Sequence, residues 1–218
     1  MIKDYDRSHW FGASDAKFIF AESHMSRSWL EWWDVKCGRE QNKFHGNIFT
    51  KAGNTFEHSI LKTYDPNIQF DRQIKIPNLR LRVNLDGNTL DEIYEVKTYQ
   101  IDKSFSLTDG YYYQAQIQMF AWKVERWINF VDAEGVPDTK LKNPPLRRHI
   151  ILAYGLYPDE YYSDYSAEQI EKGLIPIDKD RIKVFEIKPS RSVIRKARKN
   201  LSKLSKRLRK EEINAEER

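Results

Sequence analysis

The sequence predicts an α/β fold, with strands and helices sharing one chain, and three observations carry that expectation. Leu81 to Lys97 alternates with a period of two around a turn pair, Gly87-Asn88, which reads as a β-hairpin. Asn47 to Tyr64, Gly110 to Phe130 and Arg191 to Lys210 instead space their apolar residues at helical intervals. Arg148 to Tyr157 and Ile182 to Ile187 are short apolar runs that read as two more strands.

The 218 residues suit one domain, spanning 1–218, that can bury a core without staples. A single cysteine, Cys37, excludes a disulfide framework and a thiolate zinc or iron–sulfur site within one chain. Lys and Arg number 37 against 32 Asp and Glu, a modest excess that fits a polyanionic partner without demanding one. No signal peptide opens the chain and no apolar run approaches membrane-spanning length, so a cytoplasmic, reducing setting is expected. No G-x-x-x-x-G-K-[ST] occurs, so the chain brings no ATPase motor of that kind.

In chain order, Ser14-Asp15 followed by Ala16, Phe18, Ile19 and Ala21 is a helix start, with the Ser14 hydroxyl placed to cap it. With Arg7 upstream, the same start is also a candidate phosphate site. Ser28 to Cys37 reads as a second helix whose Trp29, Leu30, Trp32 and Trp33 pack. In the helix from Asn47 to Tyr64, Glu57 neighbours Phe56 and Ile60 on the apolar side, and Gly53 admits another backbone closely. A carboxylate turned inward needs a partner, either a metal or a salt bridge.

Ile68 to Ile76 is a strand and Pro77-Asn78 a turn, after which the hairpin begins. Asp86 shares a face with Arg82 and Asn84, and Glu95 shares one with Ile93 and Lys97. Asp86, Glu95 and Lys97 can therefore converge at the ends of two paired strands. Two close carboxylates repel unless a hard divalent cation lies between them, and an ammonium two residues on can reach a water on that cation.

Asp102 to Asp109 is a polar loop, and the helix from Gly110 to Phe130 buries Tyr113, Ile117, Phe120, Ala121 and Val124. Gln114 and Gln116 flank that stripe on opposite sides, so helical geometry brings only one of them to a given spot. Asp132 to Pro145 is a loop, Ala167 to Lys172 a short helix, and about 190–212 a basic helix. Its ten Lys and Arg between Arg191 and Lys210, with no acid, fit a solvated face or a phosphate-facing one equally well. The five histidines, His9, His24, His45, His58 and His149, lack a metal-binding spacing, and His58 is expected to be structural or to face solvent.

Taken together and in order, several of these pieces resemble the lambda-type exonuclease (YqaJ-like viral recombinase) branch of the PD-(D/E)XK nucleases. They are Arg7, the GASDA of Gly12 to Ala16, the G-x-x-x-E of Gly53 to Glu57, the LDG of Leu85 to Gly87, the EVK of Glu95 to Lys97, and the QAQIQM of Gln114 to Met119. The likeness spans nearly the whole chain. It implies a central mixed β-sheet flanked by helices, around a restriction-endonuclease-like core, and 5′ to 3′ cleavage of duplex DNA from an end.

By the same resemblance Asp86, Glu95, the Val96 carbonyl and Glu57 bind one or two Mg²⁺ ions, and Lys97 acts on the attacking water. A helix glutamine, Gln116 or Gln114, completes the site, while Arg7 and Ser14 receive a 5′-phosphate. An all-oxygen ligand set suits Mg²⁺ or Mn²⁺ rather than zinc. The family often works as a ring trimer beside a single-strand annealing protein, which implies a phage-infected or prophage-carrying bacterial host. Two departures stand out: Leu85 replaces the signature proline, and Thr98-Tyr99 replaces a Cys-Pro. The competing readings are a restriction-type endonuclease and a catalytically silent DNA-end-binding protein.

Overall fold

A computed structural model describes residues 8–41, 46–129 and 148–216. Arg7 and the loop from Asp132 to Pro145 lie outside the described residues. Five strands form one sheet in sequence order: β1 (Gln69–Ile76), β2 (Leu81–Asn88), β3 (Glu92–Gln100), β4 (Arg148–Leu156) and β5 (Ile182–Ile187). All neighbours pair antiparallel except β3 and β4, which run parallel, so the sheet is mixed. The helices are α1 (Ala16–Ile19), α2 (Arg27–Lys36), α3 (Ile48–Tyr64), α4 (Asp109–Asn129), α5 (Ala167–Glu171) and α6 (Arg191–Glu216).

The sheet divides the core in two. On one side α1, α2, α4 and α6 bury Phe11, Trp29, Trp33, Leu85, Ile93, Ile117 and Leu201. On the other, α3 packs Phe56, Ile60 and Leu61 against Tyr94, Val96 and Tyr154. The period-two reading of β3 explains the split: Ile93 and Glu95 face α4, whereas Tyr94 and Val96 face α3. No helix among the described residues is long and apolar enough to cross a membrane.

Local chemistry fixes the helix starts. The Asn47 side chain accepts from the Thr50 amide at 3.0 Å, and Ser26 accepts from Trp29 at 3.3 Å. Ser166 and Gln169 form a capping box for α5. The Ser14 cap is a correction. Asp15, rather than Ser14, turns back to accept from the Gly12 amide at 2.8 Å. The helix that follows is one turn long, because Phe20 already ends it.

The hairpin turn is a second correction. Gly87 and Asn88 stay in the ladder, paired with Tyr94 and Ile93, and the chain reverses between Thr89 and Glu92. Gly87 serves close approach instead of a turn. A Cβ there would lie 2.6 Å from Ile68 Cγ2 and 2.9 Å from Leu61 Cδ2, inside contact distance.

Candidate active site

The β2–β3 ladder is short: its register holds only Gly87 with Tyr94 and Asn88 with Ile93. Beyond those pairs the strands part, and β3 turns its other edge to β4 over nine registered positions from Glu92 to Gln100. Asp86 stands where the strands separate. Its Oδ2 accepts from the Val96 amide at 2.8 Å, in place of a backbone acceptor. A residue in a strand points its N–H and C=O to the same edge, so the Val96 carbonyl also faces this opening.

The cleft so formed has a volume of about 290 Å³ and is lined by Asp86, Glu95, Glu57, Gln114, Asn84 and Ser14, among others. Asp86 and Glu95 enter from the two separating strands, Glu57 from α3 and Gln114 from α4. Glu95 is the most heavily bonded. Its Oε1 accepts from Lys97 Nζ at 2.5 Å and from Gln114 Nε2 at 2.6 Å, and its Oε2 accepts from Gln118 Nε2 at 2.6 Å. Of about four acceptor positions on a carboxylate, three are used, which leaves one on Oε2.

The structure separates the two sequence candidates on α4. Gln114 reaches Glu95, but Gln116 does not. Gln116 is fully buried on the opposite flank, donating to the Lys188 carbonyl at 2.9 Å and accepting from the Ser190 amide at 2.8 Å. It anchors the start of α6 and lies outside the cleft. The residue that sequence reasoning missed is Gln118, four positions after Gln114 and so on the same helix face.

Gln118 is itself held from behind. Its Nε2 also donates to the Asn84 carbonyl at 3.3 Å, and its Oε1 lies 2.6 Å from His149 Nε2. His149 is fully buried on β4, and burial pushes its imidazole down to about 4. It is therefore neutral, and with an amide oxygen as partner its Nε2 carries the hydrogen. That bond fixes which end of the Gln118 amide meets Glu95.

The charges explain why so much fixing is needed. Burial first, then the charges of Asp86 and Glu95, hold Glu57 well above the usual carboxylate range. Burial and the Glu95 charge push Asp86 up to about 8. Glu95 goes the other way: burial opposes its charge, but the Lys97 ammonium and the Gln118 amide outweigh burial and keep it ionised. Lys97 is raised in turn, because Glu95 and Asp86 outweigh its burial. Three carboxyl groups thus share one space with one ammonium, and two of them, Asp86 and Glu57, are pushed toward the protonated form. A divalent cation relieves that crowding, and the oxygen donors of Asp86, Glu95, Glu57 and the Val96 carbonyl suit a hard one.

Glu57 also belongs to a cluster with His58 and Asp71 whose ligand atoms lie within 4.8 Å of one another. His58 is buried, which removes the solvent-facing alternative for it. Its Nδ1 pairs with the Glu171 carbonyl at 3.0 Å and its Nε2 with Asp71 at 3.1 Å. Burial disfavours the imidazolium, but these two bonds outweigh it and raise the pKa, while Asp71 falls below its usual value against its own burial. His58 and Asp71 are therefore bonded at the cleft wall, each favouring the charged form of the other. Asp71 lies between the registered pairs Phe70–Gly87 and Arg72–Leu85, opposite Asp86, with a φ of 59°. A non-glycine residue in that region is strained, and such strain gathers at functional sites.

A buried pair, Lys36 Nζ with Asp15 Oδ2 at 2.8 Å, borders the same cleft, as do Ser14 and Arg82. Ser14 is exposed.

No protein-family model and no curated protein matches the chain. Solved structures do. An alkaline exonuclease (LHK-Exo) from Laribacter hongkongensis superposes with a TM-score of 0.62 at 13% identity, covering 97% of this chain and 94% of that one. The structure of LHK-Exo in complex with dAMP gives 0.61 at 12% identity, covering 93% and 89%. A phage-related exonuclease from Haemophilus somnus 129PT gives 0.59 at 17% identity, covering 96% of each. At such identities the likeness establishes a shared fold: a five-stranded mixed sheet flanked by helices, as the resemblance of the motifs implies.

Proposed function

We propose that this chain, which has the fold of those exonucleases, is a metal-dependent deoxyribonuclease that hydrolyses phosphodiester bonds from duplex DNA ends. The observation that carries the reading is the convergence of Asp86, Glu95 and Glu57 on one cleft where β2 and β3 separate, with Lys97 bonded to Glu95. A protein without chemistry to perform gains nothing from three mutually repelling carboxyl groups.

In this reading Asp86, Glu95, the Val96 carbonyl and Glu57 hold one or two Mg²⁺ or Mn²⁺ ions. A cation there supplies charge neutralisation at phosphorus and a bound water of lowered pKa. Gln114 and Gln118 fix both oxygens of Glu95, so the ligand is pre-positioned and stays ionised. Lys97, held charged at Glu95, orients the attacking water and stabilises negative charge building on the phosphate. Gln114 takes the role of the helix glutamine, and Gln116 is left to the scaffold.

The finer reading follows the motif resemblance. Digestion runs 5′ to 3′, and Arg7 and Ser14 receive the terminal 5′-phosphate. Ser14 and Arg82 both border the cleft that holds the carboxyl groups, which supports this placement of the end phosphate. Work as a ring trimer in phage-type recombination, beside a single-strand annealing protein in the bacterial cytoplasm, belongs to the same proposal.

The test is a linear duplex labelled at the 5′ end of one strand or at its 3′ end, with Mg²⁺ or with EDTA. Immediate release of labelled mononucleotide from the 5′ label, in Mg²⁺ alone, supports the proposal. Release from the 3′ label first reverses the polarity. Internal fragments without mononucleotides identify an endonuclease, and no products identify a binder.

A further inference from the structure

The ten cations of α6 are used by none of the chemistry above. At about 100° per residue, Arg191, Arg195, Lys196, Arg198, Lys199, Lys203, Lys206, Arg207, Arg209 and Lys210 all fall within one arc of about 180°. All ten are exposed. The opposite arc holds Ala197, Leu201, Leu204 and Leu208, between 0% and 3% exposed against α4 and α1. The helix's first two acids after that run lie on the inner side. Glu211 pairs with Arg39 at 3.1 Å, and Glu212 pairs with Arg80 at 2.6 Å and His9 at 2.8 Å.

Charge on this helix is sorted, not mixed. None of the ten cations forms an ion pair with a carboxylate among the described residues. A helix face that serves only solubility interleaves acids and bases at four-residue spacing, because such pairs stabilise it. Here Arg191, Arg195, Lys199 and Lys203 follow one another at that spacing, as do Lys206 and Lys210, and each such pair is repulsive. An opposing polyanion would convert that repulsion into attraction.

We propose that the outer face of α6 is a second DNA-contacting surface, which grips the phosphate backbone of the duplex away from the bond being cut. The proposal rests on the nuclease reading for the choice of DNA. An acidic membrane is the poorer partner, since the apolar face of α6 is already buried and leaves nothing to insert. At 1.5 Å per residue the cationic segment is about 30 Å long, close to one turn of duplex. Its position relative to the cleft is set by α4. Gln116 bonds to Lys188 and Ser190 at the head of α6, while Gln114 and Gln118 of the same helix hold Glu95.

The test compares two four-fold variants of the full chain, each with the same loss of positive charge. One is R195Q/K199Q/K203Q/K206Q on the centre of the α6 face; the other is K103Q/K123Q/K179Q/K183Q, at exposed positions elsewhere. Binding to a 30-base-pair duplex is measured in EDTA by fluorescence anisotropy across a salt series. The α6 variant should lose about 3 units of the log–log salt slope and roughly 10²- to 10³-fold in affinity near 0.1 M salt, the control far less. Its melting temperature should hold or rise, since repulsion is relieved, so a binding loss cannot be laid to misfolding.

Equal losses in both variants, or an unchanged slope in the α6 variant, overturn the proposal. The nuclease reading is judged separately. A wild-type chain that binds with a steep slope but never hydrolyses DNA with Mg²⁺ or Mn²⁺ defeats that reading and leaves the surface standing.

Discussion

Replacing Asp86 with asparagine isolates the electrostatic cost of the candidate site. The ordinary value of this carboxyl is 3.8, and the fold pushes it up to about 8. Between those values the folded chain holds a proton that the unfolded chain has released. The native state is therefore penalised by about 1.4 kcal/mol per pH unit above 3.8, which reaches about 4 kcal/mol at pH 7. Because Glu57 and Glu95 share the same charge balance, about 2–4 kcal/mol is the working range.

The sign follows directly. The penalty is absent below pH 3.8, grows as pH rises and levels off near 8. The side-chain amide of the Asp86→Asn variant has no proton to lose, and its oxygen can still accept from the Val96 amide. In EDTA the variant should melt higher than wild type by roughly 5–15 °C at pH 8, and the gap should close toward pH 4. Saturating Mg²⁺ should raise the melting temperature of wild type much more than that of the variant, while DNA hydrolysis by the variant is lost. Differential scanning calorimetry at pH 4, 6 and 8 reads the first effect. A variant that melts lower than wild type at pH 8, or that still cuts DNA, refutes the assignment of Asp86.

Lys97→Ala should reduce the cleavage rate by about 10²-fold or more while weakening Mn²⁺ binding far less, as calorimetry beside single-turnover kinetics would show; equal losses make Lys97 a counter-charge only. His149→Phe removes the donor that orients Gln118, so Mn²⁺ affinity should fall about 10- to 100-fold, with His149→Asn losing less. If the two variants titrate alike, the bond to Gln118 has no orienting role. Mn²⁺ binding should release the Asp86 proton at pH 6, and that release should decline above pH 8; calorimetry in buffers of different ionisation enthalpy counts it. Arg7→Ala should erase most of a preference for 5′-phosphorylated over 5′-hydroxyl duplex ends, and an unchanged rate ratio removes Arg7 from phosphate binding.

The sequence was most legible where periodicity and burial agree. The strands and the helices α3, α4 and α6 follow from apolar spacing, whereas the mixed sheet was implied only by the resemblance of the motifs and its strand order was not encoded locally. The carboxylates Asp86 and Glu95 were legible from alternation in a hairpin, and Glu57 from its place on the inward side of a helix. The Gly87 turn misled because a glycine needed for close packing against Leu61 and Ile68 looks the same in sequence as one needed for a turn. Gln118 was within reach of the four-residue rule from Gln114. His149, Asp71 and Lys36 were not, since each meets its partner through strand register or helix packing that no local pattern encodes. Ser14 lost its predicted cap because the helix begins one residue later, with Asp15 at the cap position.

The most direct test of the account is one gel. Linear and covalently closed circular forms of the same plasmid are incubated with wild type or Asp86→Asn, in Mg²⁺ and in EDTA. The account predicts that wild type in Mg²⁺ consumes the linear form from its ends, leaves the closed circle intact, and does nothing in EDTA or when Asp86 is replaced. Nicking of the closed circle, cleavage in EDTA, or equal activity of the variant contradicts it.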